Sequence, residues 1–192
     1  MPKTDEILAK ESAQGDDASF QELMRRFLTP VFNFSRQYVR AQAEAEDITQ
    51  DTFLKVWKNI KKFNQGQKFK PWIFTIAMNT ALDHIRKRKA IPFSEIDTSD
   101  EYGQENSAPQ FSETLEDLEP IADELFEQTE NTDKISVALE ILRPEYRSVL
   151  MLHYAEDLTF EEIAIVMNNP MNTVKSWHRR ALEILRNHLH QN

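Results

Sequence analysis

The chain has 192 residues, no cysteine, three glycines and a formal charge of −9. That length allows one or two domains with cores of their own, and the missing cysteines exclude disulfides and thiolate-held zinc. The five histidines lack an HExxH arrangement, and no apolar run approaches the roughly 20 residues that a bilayer span requires, so a zinc protease and a membrane-inserted protein are both excluded as expectations.

The N-terminal stretch MPKTDEILAKESAQGDD is polar and acidic, unlike a signal peptide, and makes the cytoplasm the expected location. Asp16 or Asp17 can cap a helix running to about Phe27, and Pro30 is expected to open another through Phe32, Phe34 and Tyr38. A third helix, about Ala43 to Ile60, places Ile48, Phe53, Val56, Trp57 and Ile60 inward. Its acids (Glu44, Glu46, Asp47, Asp51) and lysines (Lys55, Lys58, Lys61, Lys62) sit at the ends that suit the helix dipole. Phe63 to Lys70 reads as a loop around Gly66. Pro71 suits the start of a helix to about Lys89 that buries Trp72, Ile73, Ile76, Ala77 and Ile85 and ends in a basic run.

Charge divides the chain into three. Residues 1–89 carry 16 basic and 11 acidic groups, residues 134–192 carry seven of each, and residues 90–133 carry 14 acids and no lysine or arginine. One-signed charge with Pro92, Pro109 and Pro120 predicts a solvated linker. Beyond it, Pro144 opens a helix that buries Val149, Leu150, Leu152 and Tyr154. LTFEEIAIVMNNPMNTVKSWHRRALEIL (158–185) then reads as a helix-turn-helix. Thr159 and Glu162 form a capping box, Asn168-Asn169-Pro170 break the helix, and a basic second helix begins near Asn172 or Thr173. The expected fold is all-α, with two small helical domains joined by an acidic flexible linker.

AEDITQDTFLKVWKNI (45–60) and FKPWIFTIAMNTALDHIRKRK (69–89) resemble region 2 of the bacterial sigma-70 family. LRPEYRSVLMLHYAEDLTFEEIAIVMNNPMNTVKSWHRRALEILRNHL (142–189) resembles region 4, and the compact two-region form resembles the extracytoplasmic-function group. Two independent motifs in the right order make this specific. The resemblance implies an alternative sigma factor, with core RNA polymerase and promoter DNA as partners, an anti-sigma factor as a further one, and no cofactor or metal. It implies region 2 over 1–89, the linker over 90–133 and region 4 over 134–192.

The resemblance also carries roles onto residues. Asp47, Gln50 and Asp51, on one helix face, would dock on the clamp helices of the polymerase's largest subunit. Asn64, Gln65 and Gln67 would line a pocket for a flipped base, while Asn79, Thr80, His84, Arg86, Lys87 and Arg88 would read the minus-ten element through base edges and phosphates. Thr173, Lys175, Ser176, Arg179 and Arg180 would meet the minus-thirty-five duplex. Asn172 stands where the family has glycine, and Trp177-His178 where a basic and an aliphatic residue are usual. His178 or Trp177 therefore turns toward the core. The rivals to this reading are a stand-alone helix-turn-helix regulator, which would bind duplex DNA without polymerase, and a sigma-like protein that binds polymerase but not DNA. The sequence shows no catalytic constellation.

Overall fold

The computed structural model describes residues 2–39, 41–64, 66–89, 139 and 141–190. Every regular element among them is helical. The first unit holds α1 (Asp5–Ala13), α2 (Asp17–Ser35), α3 (Gln42–Asn59) with a 3-10 turn (Ile60–Lys62), and α4 (Phe69–Lys89). The second holds α5 (Pro144–Leu150) with a π-helical turn (Met151–Ala155), α6 (Phe160–Met167) and α7 (Met171–His190). None of the described helices is long and apolar enough to cross a membrane. The acidic segment 90–133 lies outside the described residues.

Local chemistry explains the boundaries. Thr4 caps α1 by accepting from Ile7 N–H, with Asp5 and Glu6 in the first turn where the dipole favours anions. Leu8, Ala9 and Ser12 are its buried side, a short stripe that a purely compositional reading of the acidic N-terminus overlooks. Gly15, at φ +99°, turns the chain between α1 and α2. Asp16 caps α2. This helix does not stop near Phe27 and restart at Pro30, as the sequence suggests; it runs through the proline to Ser35. Phe20, Leu23, Phe27, Val31 and Phe34 form one unbroken buried stripe, and its packing outweighs the single ladder bond a proline removes.

The first core is aromatic. Phe34 and Phe74 meet edge to face at 5.4 Å, Phe27 and Phe69 likewise at 5.4 Å, and Phe63 packs on Phe69 at 5.6 Å. Helix α4 starts two residues before Pro71 because Phe69 is fully buried here and its backbone N–H is capped by Glu6 Oε1 at 3.2 Å. Trp72 is partly buried between Phe63 and Phe69, a packing residue as its helical spacing predicts. Trp57 departs from expectation: it is 46% exposed, on the outer side of α3.

The second unit is a helix-turn-helix on a two-part base. Thr159 and Glu162 complete the capping box of α6, and Asn168 ends that helix in the left-handed region at φ 49°. That residue, not Asn172, takes the conformation for which glycine is usual; Asn172 lies inside α7. Val174, His178, Ala181, Leu182 and Leu185 are the buried face of α7. Ile141 and Ile184 are partly exposed.

The two units share a core. Val149, Leu152, Leu158, Ile163, Val166 and Val174 belong to the same buried cluster as Phe34, Phe69, Ile73 and Phe74, with α4 and α6 as the main facing elements. Tyr38 and Ser148 hydroxyls meet at 2.7 Å, and burial pushes the Tyr38 hydroxyl up to about 12.

Candidate nucleic-acid and polymerase interface

Three surfaces carry the candidate residues. The first lies on α3. Asp47, Gln50 and Asp51 are exposed on adjacent turns of the helix. Their apolar neighbours were not legible from spacing alone. Leu28, Leu54 and Trp57 are 50%, 54% and 46% exposed and line a groove of about 340 Å³ between α2 and α3, floored by Phe20, Met24 and Phe53. Gln50 also lines this groove, on the same side as Phe53 and Trp57. Phe20 holds Trp57 edge to face at 4.7 Å. Exposed aromatic and leucine side chains beside a carboxylate pair form a surface suited to a protein partner.

The second surface is the α3–α4 loop with the polar side of α4. Asn64, Gly66, Gln67 and Lys68 are exposed, whereas the flanking Phe63 and Phe69 are buried anchors. Asn64 Oδ1 accepts from Gly66 N–H at 3.0 Å, which shapes the loop tip. Gln65 lies outside the described residues. Asn79, Arg86, Lys87 and Arg88 are exposed and His84 is half-buried. Arg88 is held by both Glu44 oxygens at 2.8 and 3.0 Å. Asp83 pairs with Lys55 at 3.5 Å and Arg86 at 3.3 Å. Thr80 is a correction: it is 3% exposed, and its hydroxyl donates to the Ile76 carbonyl at 2.7 Å. The backbone carbonyl one turn back takes the hydroxyl, and the side chain points inward beside Ala81.

The third surface is the first half of α7. Thr173, Lys175, Ser176, Arg179 and Arg180 are all half-buried on the side opposite the core stripe. Lys175 lies over the Phe160 ring at 5.8 Å, and Arg179 pairs with Glu183 at 3.5 Å. His178 settles the rotation of the helix. It is 2% exposed, its Nε2 lies 2.9 Å from the Tyr154 hydroxyl, and its buried Nδ1 has no hydrogen-bond partner. Burial, followed by the nearby His153, depresses its pKa to about 4. Trp177 is half-buried and packs against both cores, so both residues turn inward to different degrees.

Among the described residues no group of three or more His, Asp or Glu could hold a metal.

Comparison with known proteins agrees with this division. Residues 23–91 match the family described as Sigma-70 region 2, and residues 132–185 match Sigma-70, region 4. The chain is 27% identical over 180 residues to the ECF RNA polymerase sigma factor SigW of Bacillus subtilis (strain 168), covering 94% of each. It is 29% identical over 184 residues to the RNA polymerase sigma-H factor of Pseudomonas aeruginosa, covering 94% of this chain and 91% of that protein. Among solved structures, CnrH in complex with the cytosolic domain of CnrY superposes with a TM-score of 0.67 at 20% identity, over 99% of both chains. The sigma factor RpoE of Bartonella quintana, in complex with the anti-sigma factor NepR, gives 0.59 at 22% identity over 88% of this chain and 96% of that one.

Proposed function

Because the chain belongs to the sigma-70 family, in its extracytoplasmic-function group, and is an alternative sigma factor that directs core RNA polymerase to promoters, we propose that its three surfaces divide that task. The α2–α3 groove with Asp47, Gln50 and Asp51 docks on the polymerase clamp helices: Leu54 and Trp57 supply the desolvated centre, and the carboxylates supply the polar rim. The first unit, residues 1–89, captures the opened minus-ten strand. Asn64, Gln65 and Gln67 receive a flipped base, Asn79 and His84 face base edges, and Arg86, Lys87 and Arg88 hold phosphates. The second unit, residues 134–192, places α7 in the major groove of the minus-thirty-five element. There Lys175, Arg179 and Arg180 face guanine edges and phosphates, with Thr173 and Ser176 between them. Residues 90–133 join the two. As a coil, 44 residues average roughly 35–40 Å end to end, and self-repulsion extends that toward the about 58 Å that separates elements about 17 base pairs apart. The chemistry belongs to the polymerase, the cytoplasm is the site of action, and an anti-sigma factor is the expected regulator.

The observation that carries this reading is the match to two regions of one family, in order along the chain. The test is run-off transcription by core polymerase on a pool of promoter fragments, with and without the protein. Initiation that requires the protein supports the reading. Sequence-specific duplex binding by the free protein, without polymerase-dependent initiation, overturns it in favour of a stand-alone regulator.

A further inference from the structure

Helix α1 supplies no residue to the three surfaces, yet it reaches the loop between α3 and α4. Helices α1, α2 and α6 take their caps from the residue just before them: Thr4, Asp16 and Thr159. Helix α4 has no such local acceptor. Lys68 stands at that place, and an ammonium only donates. The acceptor comes instead from 63 positions away, where Glu6 Oε1 takes the Phe69 N–H at 3.2 Å. A helix leaves its first N–H groups without internal partners, and a carboxylate there also meets the positive end of the dipole.

The same helix braces the other flank of the loop. Leu8 and Ala9 of α1 are buried in one cluster with Ile60 and Phe63, which precede the loop, and with Phe69, which follows it. Accordingly α1 packs on both the 3-10 turn and α4. The Phe63 and Phe69 rings, 5.6 Å apart, close the neck of the loop. Above that neck the chain folds back, with Gln67 N–H donating to the Asn64 carbonyl at 3.0 Å. Asn64 and Gln67 themselves stay exposed. Helix α1 is in turn fixed to α2: Arg26 donates to Asp5 Oδ1 at 2.7 Å and to the Lys3 carbonyl at 3.0 Å. Asp5 is thereby tied to α2 while its neighbour Glu6 holds α4. The tip of the loop is open to a ligand, and its two ends are set by α1.

We propose that Glu6 is a positioning residue for the minus-ten loop: by holding the Phe69 N–H it fixes where α4 begins, and so the direction in which Asn64 and Gln67 meet a flipped base. This rests on the promoter reading above. Flipping a base costs a few kcal/mol of stacking, and a loop already held in its binding shape loses less conformational freedom on receiving it. Glu6 touches no DNA. It sharpens the choice of base through the loop, and α1 becomes part of promoter discrimination.

The test uses the full chain with core polymerase on a promoter pool randomised across the minus-ten element, with sequencing of the transcripts. Glu6→Ala lowers the base preference at one minus-ten position by about tenfold, because base contacts tolerate little displacement, and leaves the minus-thirty-five preference unchanged. Glu6→Gln retains an acceptor oxygen and keeps most of the preference. Thr4→Ala removes the cap of α1 without touching the Phe69 N–H, and it keeps the preference while lowering stability in urea. Amide hydrogen exchange of the free protein gives a second reading. The Phe69 N–H exchanges about tenfold faster in Glu6→Ala, the ratio that one charge-assisted hydrogen bond supports, and is little changed in Thr4→Ala. An undiminished preference in Glu6→Ala overturns the proposal. So does an equal loss in Thr4→Ala, which would reduce α1 to a stability element, or an equal loss in Glu6→Gln, which would exclude the acceptor. The parent separates the two levels: initiation with a minus-ten preference that Glu6→Ala leaves intact sinks only the role of Glu6, whereas no polymerase-dependent initiation sinks the promoter reading.

Discussion

His178 makes the stability of the second unit depend on pH in a calculable way. Its imidazole is 2% exposed, lies 5.3 Å from the His153 ring, and has a pKa depressed to about 4 from an ordinary 6.5. The native state therefore holds it neutral, while the unfolded chain protonates it near 6.5. A folded value below the unfolded one means that the unfolded state binds the extra proton. The stability present above pH 6.5 is lost as the pH falls from 6.5 toward 4. The full difference of about 2.5 units corresponds to about 3.4 kcal/mol, and integration from pH 7.5 to pH 5 gives a loss of about 2 kcal/mol from this residue. His178→Leu keeps the apolar volume, gives up the Tyr154 contact and removes the titration. Urea unfolding followed by far-UV circular dichroism at pH 7.5 and pH 5 reads the difference. The parent should lose about 2 kcal/mol more than the variant over that interval. If both lose the same amount, the reasoning from burial fails.

Three further predictions follow from the same surfaces. Trp57→Ala with Leu54→Ala should weaken binding to core polymerase by about 2 kcal/mol or more, measured by titration with labelled polymerase, while the melting temperature barely changes because both side chains are about half exposed. Lys175→Ala with Arg179→Ala should abolish protection of the minus-thirty-five duplex in footprints of the holoenzyme and leave polymerase affinity unchanged, because both side chains lie on α7 away from the groove. Phe69→Ala should cost about 3–5 kcal/mol in chemical denaturation, since this fully buried ring meets Phe27, Phe63 and Trp72.

What the sequence reveals and what it hides divide along physical lines. The capping box of α6, the Asn168 break and the cap at Asp16 are local chemistry, and each appears where spacing places it. The continuity of α2 through Pro30 is decided by burial of Phe27, Val31 and Phe34 against other helices, which no local signal encodes. Trp57 has the spacing of a core residue and yet lines a groove, because α3 carries apolar side chains on two faces and only one of them meets α4. Thr80 lies on the polar side in a helical projection, but its hydroxyl is satisfied by the Ile76 carbonyl and needs no outside partner. The rotation of α7 was ambiguous between Trp177 and His178 until the Tyr154 hydroxyl fixed His178 inward. The contact between the units was hidden altogether, since it joins residues such as Lys70 and Glu156, 86 positions apart.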